Sequence, residues 1–99
     1  MTALSFSSLG HRGVIAVSGD DRRDFLQGLV SNDVSRVAPD RAIYAALLTP
    51  QGRFLFDMFI VEHDNKLLLE VERDRAADLA KKLTMYKLRS KVTIENRGT

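Results

Sequence analysis

One carboxylate interrupts a long apolar run near the middle of the chain. Asp57 lies within residues 54–61, whose other side chains are all apolar. Successive side chains of a β-strand point to opposite faces, so Asp57 would share a face with Leu55, Phe59 and Val61. A strand that is apolar on both faces is normally covered on both, and a buried carboxylate must be paired, hydrogen-bonded or neutralised. We therefore predict that Asp57 is buried and is the residue best placed to bind a ligand.

Other arrangements that support catalysis or metal binding are missing from the sequence. The chain has no cysteine, which excludes disulfides, thiolate nucleophiles and cysteine-ligated metal sites. His11 and His63 have no partner at a motif spacing, and His63 adjoins a turn, where a solvated loop residue is expected. Residues 18–21 lack the glycine pattern of a phosphate-binding loop and carry two carboxylates, which repel anions. We expect neither a catalytic residue nor a metal site.

The composition is typical of one small soluble domain. The 99 residues are 44% apolar and 28% charged, and we expect them to form a single domain. A net charge of +2 is too weak to indicate nucleic-acid binding. The first residues lack a basic segment followed by an apolar core, and no apolar stretch is long enough to span a bilayer. We therefore expect a cytoplasmic protein with no membrane or nucleic-acid partner.

The elements that must position the central carboxylate alternate between strand and helix. Apolar patterning predicts five strands, at residues 14–17, 42–48, 53–62, 66–72 and 91–95. Helical spacing predicts a first helix that Asp20 or Asp21 caps and that runs to Val30. The same spacing predicts a second helix that Asp74 caps and that extends to Tyr86. This order predicts an α+β fold, a ferredoxin-like arrangement with two helices on a mostly antiparallel sheet and one extra strand.

Two glycines carry local predictions. Gly28 inside the first helix costs roughly 1 kcal/mol relative to alanine, which predicts a close contact that excludes a side chain at this position. Residues 49–52 place proline early and Gly52 late, which predicts a tight turn between the second and third strands.

Basic residues cluster at the end of the second predicted helix: Lys81, Lys82, Lys87, Arg89 and Lys91. Cations at a helix C-terminus complement the helix dipole, which favours a solvated face. The alternative is an electropositive rim that attracts an anionic ligand tail or RNA. Base stacking on Phe54, Phe56 and Phe59 is disfavoured, because the neighbouring leucine, methionine and isoleucine residues indicate a protein core.

Three segments carry a family resemblance. Residues 25–34 read FLQGLVSNDV, residues 44–53 read YAALLTPQGR and residues 86–92 read YKLRSKV. In this order they resemble the start of the YgfZ family, folate-binding proteins related to the T-protein (aminomethyltransferase) of the glycine cleavage system. The resemblance implies the folate-binding domain of such proteins and a role in tetrahydrofolate-dependent assembly or repair of iron–sulfur clusters.

The resemblance also implies roles for individual residues. T-protein relatives carry a Gly-Gly-apolar-apolar-Asp-Asp stretch whose second Asp faces the folate. Asp57 occupies that second position here, while Arg53 replaces a glycine and Phe56 replaces the first Asp. Tyr44 and Arg12 fall where T-proteins line the folate pocket. The resemblance therefore implies that Asp57, Tyr44 and Arg12 bind tetrahydrofolate, whereas the loss of the first Asp argues against catalysis.

The family's length bears on domain organisation. YgfZ proteins are several times longer than this chain and carry a Lys-Gly-Cys-Tyr-x-Gly-Gln motif in their later portion, which residues 1–99 do not contain. We therefore interpret the chain as the N-terminal portion of a larger YgfZ-like protein. The implied partners are folate and iron–sulfur proteins or their assembly machinery, and an exposed apolar surface on this portion predicts a homodimer.

Three hypotheses about Asp57 stay open at this point. In the first, it orients tetrahydrofolate in an iron–sulfur assembly factor. In the second, it assists attack on an aminomethyl donor in a transferase of the T-protein type. In the third, it forms an ion pair with a lysine or arginine inside the fold.

Overall fold

A single five-stranded sheet dominates the computed structural model, which describes residues 12–49 and 51–98, with Arg12 described by its backbone alone. The strands are β1 Arg12–Ser18, β2 Ile43–Leu48, β3 Phe54–His63, β4 Lys66–Glu72 and β5 Thr93–Gly98. The helices are α1 Arg22–Gln27, a short 3₁₀ helix at Val34–Arg36, and α2 Arg73–Lys87. All five predicted strands and both predicted α-helices are present among these elements.

The sheet has the order β2-β3-β4-β1-β5, and every neighbouring pair is antiparallel. If β2 is left out, the remaining strands have the order of a ferredoxin-like sheet, with α1 and α2 as the two connecting helices. β2 is the extra strand and pairs with β3 at the edge. The predicted α+β class and ferredoxin-like arrangement are therefore confirmed.

The core lies between one face of the sheet and the helices. A row of four aliphatic side chains crosses β2, β3, β4 and β1. In that order they are Ile43, Ile60, Leu69 and Ile15, and each pairs with the next. These four residues are buried in one cluster with Leu79 and Leu83 of α2 and with Phe25 and Leu26 of α1. Each buried aliphatic side chain contributes about 1.5–3 kcal/mol, so this inner face holds the domain together.

Helix boundaries differ from the prediction. α1 ends at Gln27 instead of Val30, and its N-cap residue Asp21 forms no side-chain cap. The Asp21 carboxylate instead accepts a hydrogen bond from the backbone N–H of Lys91 (2.8 Å), which ties α1 to the segment before β5. Asp74 is not a cap either, because Glu72 is the N-cap residue of α2 and Asp74 lies in the first turn. Asp21 is therefore at the predicted N-cap position but does not cap through its side chain, and the prediction that Asp74 caps α2 is wrong.

Gly28 follows α1 without the predicted close contact. Its backbone is in the ordinary right-handed helical region (φ −73°, ψ −12°). A Cβ at this position would lie 3.7 Å from the nearest neighbour, the carbonyl oxygen of Phe25, which is a normal van der Waals distance. The prediction that packing excludes a side chain here is wrong.

Replacement of Gly28 by alanine is therefore expected to stabilise the fold. Alanine adopts the observed backbone conformation without strain and reduces the conformational entropy of the unfolded chain, a gain of about 0.4–1 kcal/mol. Urea denaturation of Gly28→Ala beside the parent chain measures the difference in free energy of unfolding. A loss of stability in the variant would show that a contact at this position had been missed.

Candidate functional site

Asp57 lies on the outer face of the sheet, the face opposite to the α-helices. Alternate residues of β3, such as Phe56 and Met58, are buried in the core, whereas Asp57 is exposed. The predicted alternation of faces is confirmed from Phe56 onward, but Leu55 packs against the core because the register shifts beside it. The predicted burial of Asp57 is wrong. Among the described residues both α-helices pack against the inner face, so the outer face leaves this carboxylate in contact with solvent.

The hydroxyl of Tyr44 donates a hydrogen bond to Asp57 Oδ2. Tyr44 is opposite Phe59 and Asp57 is opposite Ala46, so Tyr44 and Asp57 are diagonal neighbours across β2 and β3. Such diagonal neighbours are within reach of a long aromatic side chain. The Tyr44 ring also packs against Phe59 in an edge-on arrangement, with ring centroids 5.1 Å apart and an interplanar angle of 60°. We refer to Tyr44 and Asp57 as the outer-face pair.

The outer-face pair presents polar atoms to solvent rather than hiding them. Tyr44 is 51% exposed although it is a large aromatic residue. Among the side chains that the structure describes, no lysine or arginine forms an ion pair with Asp57. The ion-pair hypothesis for this residue therefore has no support from that part of the chain. With the adjacent ring of Phe59, the pair combines a carboxylate acceptor with two aromatic rings, an arrangement suited to a flat ligand that carries N–H donors.

A polar loop after α1 holds β2 in place at the free edge of the sheet. Asn32 Nδ2 donates to the backbone carbonyl oxygen of Tyr44 (2.9 Å). The backbone N–H of Ser31 donates to the carbonyl oxygen of Ala46 (2.9 Å), and Ser31 Oγ accepts from the N–H of Ala46 (3.0 Å). These bonds satisfy backbone groups that an edge strand otherwise leaves open, and they fix the strand that carries Tyr44.

Gln27 in turn fixes the shape of this loop. Its Nε2 donates to the carbonyl oxygen of Asn32 (2.9 Å), and its Oε1 accepts from the backbone N–H of Val34 (2.7 Å). Gln27, Ser31 and Asn32 all belong to the segment FLQGLVSNDV, but sequence reasoning did not identify them as positioning residues. The available signal was a run of polar residues directly after an amphipathic helix and just before an edge strand.

Asp33 begins the 3₁₀ helix that follows. Its Oδ1 accepts hydrogen bonds from the hydroxyl (2.6 Å) and the backbone N–H (3.0 Å) of Ser35. Both hydrogen bonds lower the pKa of the Asp33 carboxyl below its usual range, because both favour the ionised form. The bond from the Ser35 hydroxyl has the larger effect, and the bond from the Ser35 backbone N–H has the smaller one. The carboxylate that caps the 3₁₀ helix therefore stays ionised to a lower pH than an unperturbed aspartate does.

Arg23 anchors the 3₁₀ helix to the rest of the domain. Its guanidinium donates to the carbonyl oxygens of Val34 (3.0 Å) and Val37 (3.2 Å). A third bond reaches Glu62 Oε1 (2.6 Å) on β3, so one side chain joins α1, the loop and the sheet. This planar, five-donor group can serve three acceptors at once, which a lysine side chain does less well.

The third predicted site residue, Arg12, is described only by its backbone at the start of β1. Arg12 pairs with Glu72 on β4. Glu72 lies two residues along β4 from Glu70, and Glu70 pairs with Phe59 on β3. Because β4 separates β1 from β3, the backbone of Arg12 is about 10 Å from β3. The side chain of Arg12 lies outside the described residues, so its contact with the outer-face pair stays a prediction.

Among the residues that the structure describes, no group of three or more histidine and acidic side chains forms a potential metal site. Within the same residues, no helix is long and apolar enough to cross a membrane.

His63 is the last residue of β3 and is exposed, and its Nε2 is 3.4 Å from the carboxylate of Asp64. His11 lies outside the described residues.

Known proteins share both the sequence and the fold of this chain. A mitochondrial iron–sulfur cluster assembly factor IBA57 homolog from Neurospora crassa is 36% identical over 96 residues, which cover 90% of this chain and 22% of that protein. An aminomethyltransferase from Bacillus subtilis is 37% identical over 87 residues, which cover 87% of this chain and 23% of the enzyme. The chain thus spans about a quarter of the length of the curated relatives it matches.

A solved structure supports the same fold. The aminomethyltransferase T of the glycine cleavage system from Bartonella henselae superposes with a TM-score of 0.77, covering 87% of this chain and 24% of that one. The sequence identity is 18%, so this similarity shows the fold alone. Residues 3–98 also match the family model described as the GCVT N-terminal domain. The resemblance inferred from the three sequence segments is confirmed, and the chain belongs to the GCVT N-terminal domain family.

Proposed function

We propose that this chain is the folate-binding N-terminal portion of a YgfZ-like protein that assists tetrahydrofolate-dependent assembly or repair of iron–sulfur clusters. The observation that carries the proposal is the outer-face pair, an exposed Asp57 carboxylate held by the Tyr44 hydroxyl. Support also comes from the relative in Neurospora crassa, which is named an iron–sulfur cluster assembly factor. In this proposal residues 1–99 form one domain of a longer protein.

The residues of the outer face fit a reduced pterin. Asp57 is an acceptor for pterin N–H groups, and the rings of Tyr44 and Phe59 provide apolar contact beside it. In this proposal Arg12 contributes a cation from β1. When bound, tetrahydrofolate supplies nitrogen atoms that carry one-carbon units. The residues of this chain orient the cofactor, and Tyr44 holds the Asp57 carboxylate in one position.

A transferase of the T-protein type is the second candidate. The aminomethyltransferase of Bacillus subtilis, 37% identical to this chain, favours it. Phe56 weighs against it, because this residue stands where T-protein relatives carry the first Asp. It is buried with its ring beneath the guanidinium of Arg75 (4.3 Å), so it supplies neither a second carboxylate nor a polar contact. Asp57 is therefore better suited to orient a ligand than to act in a pair of acids.

Removal of the Asp57 carboxylate is expected to weaken tetrahydrofolate binding at least about tenfold. A hydrogen bond to a charged group is worth about 1.5–3 kcal/mol, and 1.4 kcal/mol corresponds to a factor of ten. Asp57→Ala should therefore reduce the rise in melting temperature that tetrahydrofolate causes in the complete protein. Tyr44→Phe removes only the hydroxyl that holds the carboxylate, and we expect a loss of about two- to tenfold.

The control is Asp40→Ala, which removes an exposed carboxylate from the loop before β2. Equal binding by Asp57→Ala and Asp40→Ala would refute the role of Asp57. Formation of methylene-tetrahydrofolate from an aminomethyl-lipoyl carrier separates the two candidate functions. A positive result there favours the transferase, and folate binding without this turnover favours the assembly factor.

Partners and location complete the proposal. We propose that the protein acts on iron–sulfur proteins or their assembly machinery and lies in the cytoplasm, although the relative in Neurospora crassa is named as mitochondrial. The partly exposed apolar residues of the outer face, such as Phe59 and Val61, support a homodimer of the isolated domain. Sedimentation analysis of the 99-residue chain tests that association directly.

A further inference from the structure

A groove of roughly 340 Å³ lies between α2 and the start of β3. Three apolar residues line it, Leu55 and Phe56 from the strand and Met85 from the helix. This volume is at the small end of the range of ligand pockets, about 300–1,000 Å³. The outer-face pair does not line the groove, and neither proposed function uses it.

The wall of the groove on α2 is mainly basic. Arg75, Lys81 and Lys82 line it together with a single carboxylate, Asp78. Arg75, Asp78 and Lys82 are spaced by three and four residues, so they lie on one side of the helix, and Met85 continues the same row. Two of the five cations that cluster near the helix end in the sequence therefore face a defined groove rather than a dispersed solvated surface.

Arg75 is held in place at one end of the groove. Its Nη2 donates to the backbone carbonyl oxygen of Leu55 (3.1 Å), and its guanidinium carbon lies 4.3 Å from the centre of the Phe56 ring. Stacking on an aromatic ring pre-orients a guanidinium and lowers the entropy that it loses on binding a carboxylate. Met85, in contrast, is 59% exposed, so a large apolar side chain is available to a partner.

We propose that this groove binds an acidic peptide segment with interspersed large apolar side chains, supplied by another protein. The apolar side chains of the segment contact Met85 and Leu55, and its carboxylates pair with Arg75, Lys81 and Lys82. Charge complementarity selects this partner, because three cations face one carboxylate along the groove.

The same contacts disfavour RNA as the occupant. The aromatic residue that lines the groove, Phe56, is buried beneath Arg75 and offers no free face for a base to stack on. Asp78 also opposes a phosphate backbone, which carries a negative charge at every nucleotide. A peptide can place a basic or neutral residue opposite Asp78, so it fits the mixed charge of this wall better.

The test uses a fluorescein-labelled 12-residue peptide of repeating Glu-Leu-Asp units, with fluorescence anisotropy as the readout. Lys81→Glu/Lys82→Glu should weaken its binding at least tenfold, because two attractive pairs become repulsive. The matched control is Arg36→Glu/Arg41→Glu, which makes the same change in net charge at two exposed positions before β2. We expect the control to change affinity less than twofold, and binding of the parent chain to weaken as salt is added.

A second arm tests the apolar contacts. Met85→Ser, at an exposed position, and a peptide with serine in place of leucine should each lower the affinity at least about threefold. Thermal melts of each variant confirm that the fold is retained. The proposal would be overturned if the two charge-reversal variants lost peptide affinity equally. It would also be overturned if neither Met85→Ser nor the serine-containing peptide lowered the affinity. A 12-nucleotide RNA or a phosphatidylserine vesicle that binds through Lys81 and Lys82 more tightly than the peptide would overturn it as well.

Discussion

Leu69→Ala is expected to destabilise the domain by about 3–5 kcal/mol. Leu69 is fully buried at the middle of β4, where it pairs with Ile15 on β1 and Ile60 on β3. Truncation removes apolar surface from the core and leaves a cavity that a well-packed sheet cannot close. A domain of this size has about 5–15 kcal/mol of stability in total, so the variant loses a large part of it.

Thermal denaturation followed by circular dichroism measures this effect. A loss of 1 kcal/mol lowers the melting temperature of so small a domain by about 4–8 °C, so a fall of more than roughly 12 °C is expected. The control is Met85→Ala, which truncates an apolar residue that is 59% exposed on α2 and should change stability by less than about 0.5 kcal/mol. Similar melting temperatures for the two variants would contradict the assigned core.

Gly19→Ala is expected to cost at least about 3 kcal/mol. Gly19 joins β1 to α1 with a φ of +109°, a conformation that costs a residue with a side chain about 1–3 kcal/mol. A Cβ at Gly19 would also overlap the carbonyl oxygen of Lys91 and lie 2.9 Å from the Cα of Val92. Both neighbours are backbone atoms, so the segment before β5 would have to move.

Gly52→Ala separates the two causes of this loss. Gly52 in the turn between β2 and β3 also has a positive φ (+85°), but nothing lies within 4 Å of the Cβ that alanine would add. This variant should therefore lose only the conformational term, about 1–3 kcal/mol, and less than Gly19→Ala. Urea denaturation of both variants gives the comparison. If Gly52→Ala were the more destabilised of the two, the close approach of Gly19 to Lys91 would be refuted.

Much of the fold follows from local patterns in the sequence. β4 has the predicted bounds, Lys66–Glu72, because a run of apolar residues there is bordered by a polar turn and by a helix. The alternation of faces along β3 also follows from its period of two. The bond from the N–H of Gly52 to the carbonyl oxygen of Thr49 (2.8 Å) closes the predicted hairpin turn. Such features depend on residues close together in the chain.

Features that depend on distant contacts were predicted less well. A side-chain cap on α1 from Asp20 or Asp21 was expected, but the carboxylate of Asp21, the N-cap residue, instead accepts a hydrogen bond from the N–H of Lys91, 70 residues away. The 3₁₀ helix at Val34–Arg36 was not predicted, because Gln27 and Arg23 stabilise it from α1. In both cases the deciding hydrogen bonds come from elements whose proximity no local pattern reveals.

The candidate site divides in the same way. The strand period is local, so the chain alone places Asp57 on the same face as Phe59, and the family resemblance drew attention to Tyr44 and Arg12. The exposure of Asp57 and its hydrogen bond with the hydroxyl of Tyr44, 13 residues away, emerge only in the folded domain. Strand register and the layer of helices are set by the packing of the whole sheet, which no local pattern contains. Residue type and spacing place a carboxylate on a face, but packing decides whether that face meets the core or solvent.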